Sequence, residues 1–318
     1  RGLNFNAGPG GGIDFSQSTD APDGFNNSAK LVCETADSAH SGTEQIYLHQ
    51  YIEARDLQGL AYGTSSAKSM TISWYMKATN FAGPISLALE TRDGTSENFT
   101  VSVTPTSSWA RYSVIVPGST SATINNDSGQ GIDVKFVIAG TSGGTHAASS
   151  DSTAWSTTRA DYRDDIGNFV SSTSNEFYIT GIQAELGTVM TPFEHRSYGD
   201  ELARCQRYYY RHNQNAVNYA QISAGVAAST TTFFAPFDLP VEMRANPSLA
   251  YSDINNIRIT KVFSFSSNVT ALTIGYGNKK TPSLQATGSG LTNGAAYFLG
   301  YKGDSSGNDD WVAFDSEL

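Results

Sequence analysis

Residues 70–77 alternate strictly between apolar and polar positions. Met70, Ile72, Trp74 and Met76 fall on one side of an extended chain, and Thr71, Ser73, Tyr75 and Lys77 on the other. Successive side chains of a strand point to opposite faces, so this period of two predicts a strand with one face in a core. The pattern recurs along the chain. Ile46, Leu48, Gln50 and Ile52 read as one strand face, and further strands are predicted at 85–90, 99–103, 112–116, 132–139 and 177–182. Asp93-Gly94, Pro117-Gly118, Gly140 and Leu186-Gly187 punctuate them with turn chemistry. Many short strands so punctuated predict a two-sheet sandwich or jelly roll.

Residues 1–12 are rich in Gly and Asn and read as loop or linker, with at least one more strand expected before the Ile46 segment. Residues 140–174 lack periodicity and read as a long surface excursion. One helix is predicted after the sandwich. Ser197 is its N-cap, Asp200 and Glu201 suit the dipole of the first turn, and Leu202, Cys205, Tyr208 and Tyr209 recur at helical spacing. Strands at 217–224, 230–237, 248–253, 257–264, 271–276, 295–302 and 311–315 then predict a second antiparallel domain. Pro240 and Pro247 bracket a connector within it, because proline has no amide to donate to a ladder. The fold class is therefore all-β: a jelly-roll β-sandwich over 1–193, a linker helix over 194–211 and a compact antiparallel β domain over 212–318. The chain begins at Arg1 with no leader-like segment and is expected to be a fragment or a processed product.

Composition narrows the function classes. The 16 Phe, 16 Tyr and 4 Trp are ample for a core and exclude disorder. No stretch approaches the ~20 apolar residues of a membrane-spanning helix. With Lys+Arg 20 and Asp+Glu 30, the net charge of −10 disfavours contact with phosphate backbones, so no nucleic-acid partner is expected. Cys33 and Cys205 lie far apart and read as free thiols.

Candidate chemistry is sparse. No two of His40, His49, His146, His195 and His212 stand at zinc-ligand spacing. His195 between Glu194 and Arg196 has the company of a general base, but a hydrogen-bonded linker histidine is the plainer reading with no nucleophile motif beside it. Asp161, Asp164 and Asp165 form a dense carboxylate cluster that suits calcium, but the glycine and glutamate of an EF-hand loop are missing and a solvated loop paired with Arg163 is the plainer reading. No other cofactor is expected. The turn at 304–310 has the same acidic character. No motif points to a carboxylate pair for glycoside hydrolysis, so the chain reads as a non-enzyme. Sugar binding rests on an exposed ring with polar neighbours. Trp155, Tyr162 and Arg163 in the irregular segment, and Tyr297, Tyr301 and Trp311 around the late acidic turn, are the candidates, each with ordinary packing as its alternative.

The most specific text is at the junction: ITGIQAELG at 179–187, then TPFEHRSYGDELARCQRYY at 191–209. It resembles a signature of bacteriophage tail-fibre and related virion structural proteins. There a jelly roll like that of carbohydrate-binding modules ends in a similar stretch. TISWYMKA at 71–78, WARYSVIVPG at 109–118, FDLPVEMRANP at 237–247 and AFDSEL at 313–318 are similar to other parts of that family. The resemblance implies a non-enzymatic, trimeric appendage protein of the virion. Its partners would be other virion proteins and a host-surface glycan. A carbohydrate-binding region of a secreted glycoside hydrolase and a capsid-surface decoration protein are the alternatives. Within the junction, Phe193, Glu194, His195, Arg196, Tyr198, Glu201 and Arg207 are expected to fix the domain interface, with Phe193 and Tyr198 packed beneath the linker.

Overall fold

The computed structural model describes residues 2–6, 10–39, 41, 43–213, 220–261, 265–302 and 310–317. The chain divides into two compact units, Arg1–Glu194 and His195–Leu318.

The first unit is built from β1 (Gly2–Asn6), β2 (Gly12–Ser18), β3 (Ser28–Thr35), β4 (Gln45–Glu53), β5 (Met70–Thr79), β6 (Ile85–Thr91), β7 (Asn98–Val103), β8 (Ala110–Val116), β9 (Gln130–Gly140), β10 (Ala147–Ala148), β11 (Tyr162–Arg163) and β12 (Glu176–Leu186). A front sheet runs in the order β1-β4-β9-β6-β7 and a back sheet in the order β2-β3-β12-β5-β8. Every pairing in both is antiparallel. Their inner faces share one apolar core, so the unit is the expected jelly-roll sandwich. Met70, Ile72, Trp74 and Met76 enter that core and are at most 2% exposed. The Trp74 ring stands edge-on to Phe136 of the front sheet at 5.1 Å and stacks with Tyr112 at 6.1 Å. Thr71 and Ser73 point the other way yet are also buried. Thr71 donates to Gly187 O at 2.8 Å and Ser73 accepts from Arg111 at 3.1 Å, which satisfies both hydroxyls.

Two expectations change here. Residues 2–6 are not loop but an edge strand, paired with Gln45–His49. Edge pairing needs only backbone groups, so tertiary context outweighs the poor strand propensity of Gly and Asn. The supposed excursion at 140–174 is not loose either. Its backbone crosses the outer face of β6 and β7, where Thr100 donates to Ala160 O at 2.6 Å and the Arg163 amide donates to Ser86 at 2.7 Å. Gly181 of the junction text sits at φ 61° in a bulge between Thr180 and Gln183. A Cβ there would come within 2.6 Å of the Phe25 ring, so both backbone and space demand glycine.

The second unit opens with α1 (Tyr198–Gln206) and continues through β13 (Tyr209–Asn213), β14 (Gln221–Ala227), β15 (Thr232–Pro236), β16 (Ser248–Tyr251), β17 (Ile257–Lys261), β18 (Phe265–Asn268), β19 (Ala271–Gly277), β20 (Pro282–Thr287), β21 (Ala296–Tyr301) and β22 (Trp311–Asp315). A seven-stranded sheet in the order β18-β17-β21-β14-β15-β20-β19 curls over a three-stranded one, β13-β22-β16, around a core that includes Phe233, Leu284, Leu299 and Phe314. Pro240 and Pro247 lie outside strands, as expected. The predicted linker is itself divided: the helix ends at Gln206, and Tyr209 to Arg211 belong to β13. Cys33 and Cys205 are not joined in a disulfide.

Ser197 caps α1. Its hydroxyl accepts from the Asp200 amide at 3.2 Å and donates to the Asp200 carboxylate at 2.8 Å. No residue of this helix is buried, so the cap contributes a large share of its local stability. Ser197→Ala is expected to cost the helix about 0.5–2 kcal/mol. Hydrogen exchange of the α1 amides should quicken several-fold while the unfolding midpoint of the β-core stays unchanged.

Candidate functional site

The outer face of the front sheet gathers polar, charged and aromatic side chains of β4, β6 and β9. Alternation in β4 sends Ile46, Leu48 and Ile52 inward and leaves Tyr47, His49 and Tyr51 on the opposite face. The antiparallel register sets His49 beside Lys135 and Tyr51 beside Asp133 of β9. Glu90 of β6 stands next to Asp133 in the same row. Further along, Ala88, Val137 and Tyr162 form a small apolar cluster, so the crossing segment covers one end of this face.

Lys135 is the hub. Its ammonium lies 3.1 Å from Glu90, 3.6 Å from Asp133 and 3.8 Å from Asp161. Arg92 pairs with Glu90 at 2.8 Å, Arg159 with Asp161 at 2.8 Å, and His49 Nδ1 lies 3.2 Å from Asp133 Oδ1. Three cations thus balance three carboxylates. Burial alone would push the Glu90 carboxyl up, but Lys135 and Arg92 outweigh it and hold the group below its ordinary range. Burial would likewise lower the Lys135 ammonium, and its carboxylate neighbours, Asp133 first, raise it instead.

The rings line up along β4. His49 stands edge-on to Tyr47 at 5.4 Å and to Tyr51 at 5.0 Å. Lys135 lies 5.7 Å from the Tyr47 centroid and Arg92 5.8 Å from that of Tyr51. Both tyrosines are half-buried, and burial pushes both phenols up. Among the described residues neither phenol hydroxyl has a protein hydrogen-bond partner. Gln45 Oε1 and Asp161 Oδ1 are buried acceptors without a hydrogen bond. The two buried acceptors are out of a ligand's reach, so what the face offers is ring surface and two phenol hydroxyls beside fixed charge. These are the requirements for holding a hydroxyl-rich ligand.

The residues singled out from the sequence stand elsewhere. Trp155 is half-buried against Tyr62 and Phe99, and its indole donates to Pro117 O at 2.7 Å. Tyr162 is fully buried and donates to Thr141 O at 3.0 Å. Arg163 is buried against Asp151 at 2.8 Å. Tyr297 and Tyr301 are core residues of the second unit; Tyr297 accepts from the Thr292 amide at 2.9 Å and Tyr301 donates to His212 O at 2.7 Å. Trp311 is half-buried, with the Arg211 guanidinium 4.9 Å from its ring centroid. None of the four buried side chains presents a face to a sugar: Tyr162 and Arg163 belong to a segment that packs on a sheet, and Tyr297 and Tyr301 are buried in the regular strand β21.

The calcium cluster does not form. Asp161 turns to Lys135 and Arg159, Asp164 accepts from the Gly143 amide, and Asp165 lies 3.3 Å from the Ser102 hydroxyl. Among the described residues no three His, Cys, Asp or Glu side chains converge to hold a metal. Within the turn at 304–310, residues 304–309 lie outside the described residues, and Asp310 accepts from Ser252 at 3.0 Å and Asn256 at 3.1 Å.

Of the junction residues, Phe193 packs on Phe25 at 4.9 Å, and the Glu194 amide donates to Gln183 at 2.8 Å. Arg196 pairs with Glu201 at 3.6 Å, and Arg207 O accepts from the Arg244 amide at 2.8 Å. His195 is exposed, and Tyr198, expected to pack, is 82% exposed.

Sequence reasoning missed Tyr47, His49, Tyr51, Glu90, Asp133 and Lys135. Their signal was present: an apolar face at 46, 48 and 52 leaves 47, 49 and 51 on the other side.

No protein-family model and no curated protein matches the chain. Among solved structures it is similar to the family 11 carbohydrate-binding module of a cellulosomal cellulase of Clostridium thermocellum, at 14% identity and a TM-score of 0.31, over 61% of this chain and 91% of that one. A xylan-binding CBM22 domain from Paenibacillus barcinonensis is similar at 10% identity and a TM-score of 0.30, over 59% and 88%. Tailspike protein 4 of bacteriophage CBA120 is similar at 8% identity and a TM-score of 0.29, over 55% of this chain and 18% of that one. Likeness at this level carries nothing about function; the fold stands on the sheet orders and register given above.

Proposed function

We propose that this chain is a non-enzymatic appendage protein of a bacteriophage virion that holds host-surface glycans on the Tyr47–His49–Tyr51 face. The observation that carries the binding reading is the row of half-buried rings on β4, flanked by the Lys135 network and with free phenol hydroxyls. The virion assignment rests on the junction text at 179–209. Binding without catalysis agrees with Glu90, whose carboxyl is held low, whereas an acid that protonates a glycosidic oxygen needs a raised one. In a trimeric fibre each face can bind weakly, because linked copies raise the effective concentration of the next contact.

A glycan array probed with the full chain tests this reading. Tyr51→Ala is expected to weaken binding about tenfold, or ~1.4 kcal/mol, with the unfolding midpoint preserved because the ring is half exposed. Parent-level binding by both Tyr47→Ala and Tyr51→Ala would sink it. Sedimentation equilibrium should return a trimer, and a stable monomer would remove the avidity argument.

A further inference from the structure

At the rim of the sandwich the inward side of the back sheet runs past the shared core. Register places Gln17 beside Ala29, Ala29 beside Ile179, and Phe15 beside Leu31. Leu31 is fully buried, but Phe15 in the edge strand is 53% exposed. A depression of about 420 Å³ opens here, lined by Phe15, Gln17, Asn27, Ala29, Ile179 and Thr180 among others. That volume lies within the range of small-ligand clefts.

We propose that this depression is a second glycan site, separate from the β4 face, and that it takes an uncharged sugar unit. Phe15 supplies a ring face in a strand where solvent exposure of an aromatic costs stability without a packing return. Gln17 and Asn27 supply primary amides, each with two donors and an acceptor, the groups that match vicinal hydroxyls. Both are exposed, and among the described residues neither side-chain amide has a protein partner. The rim is held in place by Thr180, whose hydroxyl donates to Asn27 O at 3.1 Å. Ala29 and Ile179 give an apolar floor for the C–H face of a pyranose. No lining residue is charged, so nothing here compensates the desolvation of a carboxylate, and the chain's net charge of −10 further disfavours an anionic sugar. The ligand class follows from these residues alone, so the β4 face can fail as a site without touching it.

Amide NMR of the full chain tests the assignment, with cellotetraose, maltotetraose and β-1,4-galactotriose as neutral probes and a sialic acid trimer as the anion. The amides of Asn27, Ala29 and Thr180 are expected to shift with at least one neutral probe and not with the anion. Phe15→Ala should weaken that response tenfold or more, and Phe15→Tyr should restore it. Tyr51→Ala should leave it unchanged, which separates this site from the β4 face. The proposal is overturned if no neutral probe moves these amides at millimolar concentration, if Phe15→Ala responds like the parent, or if only the anion binds. It is equally overturned if Phe15→Ala changes the sedimenting mass while the sugar response persists, since the patch would then be a subunit contact.

Discussion

Lys135→Met is expected to destabilise the first unit by roughly 3–5 kcal/mol, the range for breaking a buried ion network by removing one partner. Methionine fills much of the same volume, so the loss is electrostatic rather than a cavity. Lys135 has a side chain only 9% exposed and is shared by Glu90, Asp133 and Asp161. Without the ammonium, carboxylates that are 19%, 3% and 1% exposed face one another with Arg92 and Arg159 alone to compensate.

The pH dependence carries the diagnostic sign. The folded-state ammonium of Lys135 is raised, so its stabilisation is complete below its ordinary value of 10.5 and is lost as pH rises through the folded value. The Glu90 carboxyl is lowered, so its share is present above its ordinary value of 4.5 and is lost as pH falls through the folded value. The parent should therefore hold its stability through the neutral range and lose it at both extremes. In Lys135→Met the acid limb inverts, because protonating the orphaned carboxylates relieves them. Urea midpoints for the parent should stay level from about pH 7 to about pH 5 and fall only below the ordinary Glu90 value of 4.5, whereas those of the variant should rise as the pH is lowered. A variant curve parallel to the parent's would mean that the network contributes nothing.

Trp74→Ala is the other large effect, about 3–5 kcal/mol, for a fully buried indole between Tyr112 and Phe136. Trp74→Phe should cost less than half as much. The indole N–H is buried with no hydrogen-bond partner, and deleting it returns roughly 1–3 kcal/mol of desolvation against the volume lost. Equal midpoints for the alanine and phenylalanine variants in chemical denaturation would refute this account of the core.

Much of the architecture was legible because a sheet with one buried face writes its period directly into the chain. The strands around Trp74, Leu87 and Phe136, the Ser197 cap and the proline connector all follow from local chemistry. The strand at 2–6 was not legible, since its pairing with β4 uses backbone groups that any residue supplies. Nor was the site. Looking for rings in irregular segments led to Trp155 and Tyr162, which pack inward, while the regular strand β4 carried Tyr47 and Tyr51 on its free face. Asp133 and Lys135 alternate with Val134 and Phe136, and nothing in that alternation says whether the polar side meets water or a buried network.

By itself the sequence determined which residues face which way along each strand, where the helix begins, and that no excess of cations is available for a polyanion. Periodicity, capping and net charge are properties of neighbouring residues and of sums, so they need no fold. Only the tertiary structure decided which of the two faces of β4 stays half open, which aromatics are core, and which carboxylates share Lys135. Those depend on register between strands distant in sequence, and on a segment at 140–174 that covers one end of the sheet and leaves the β4 rings half open.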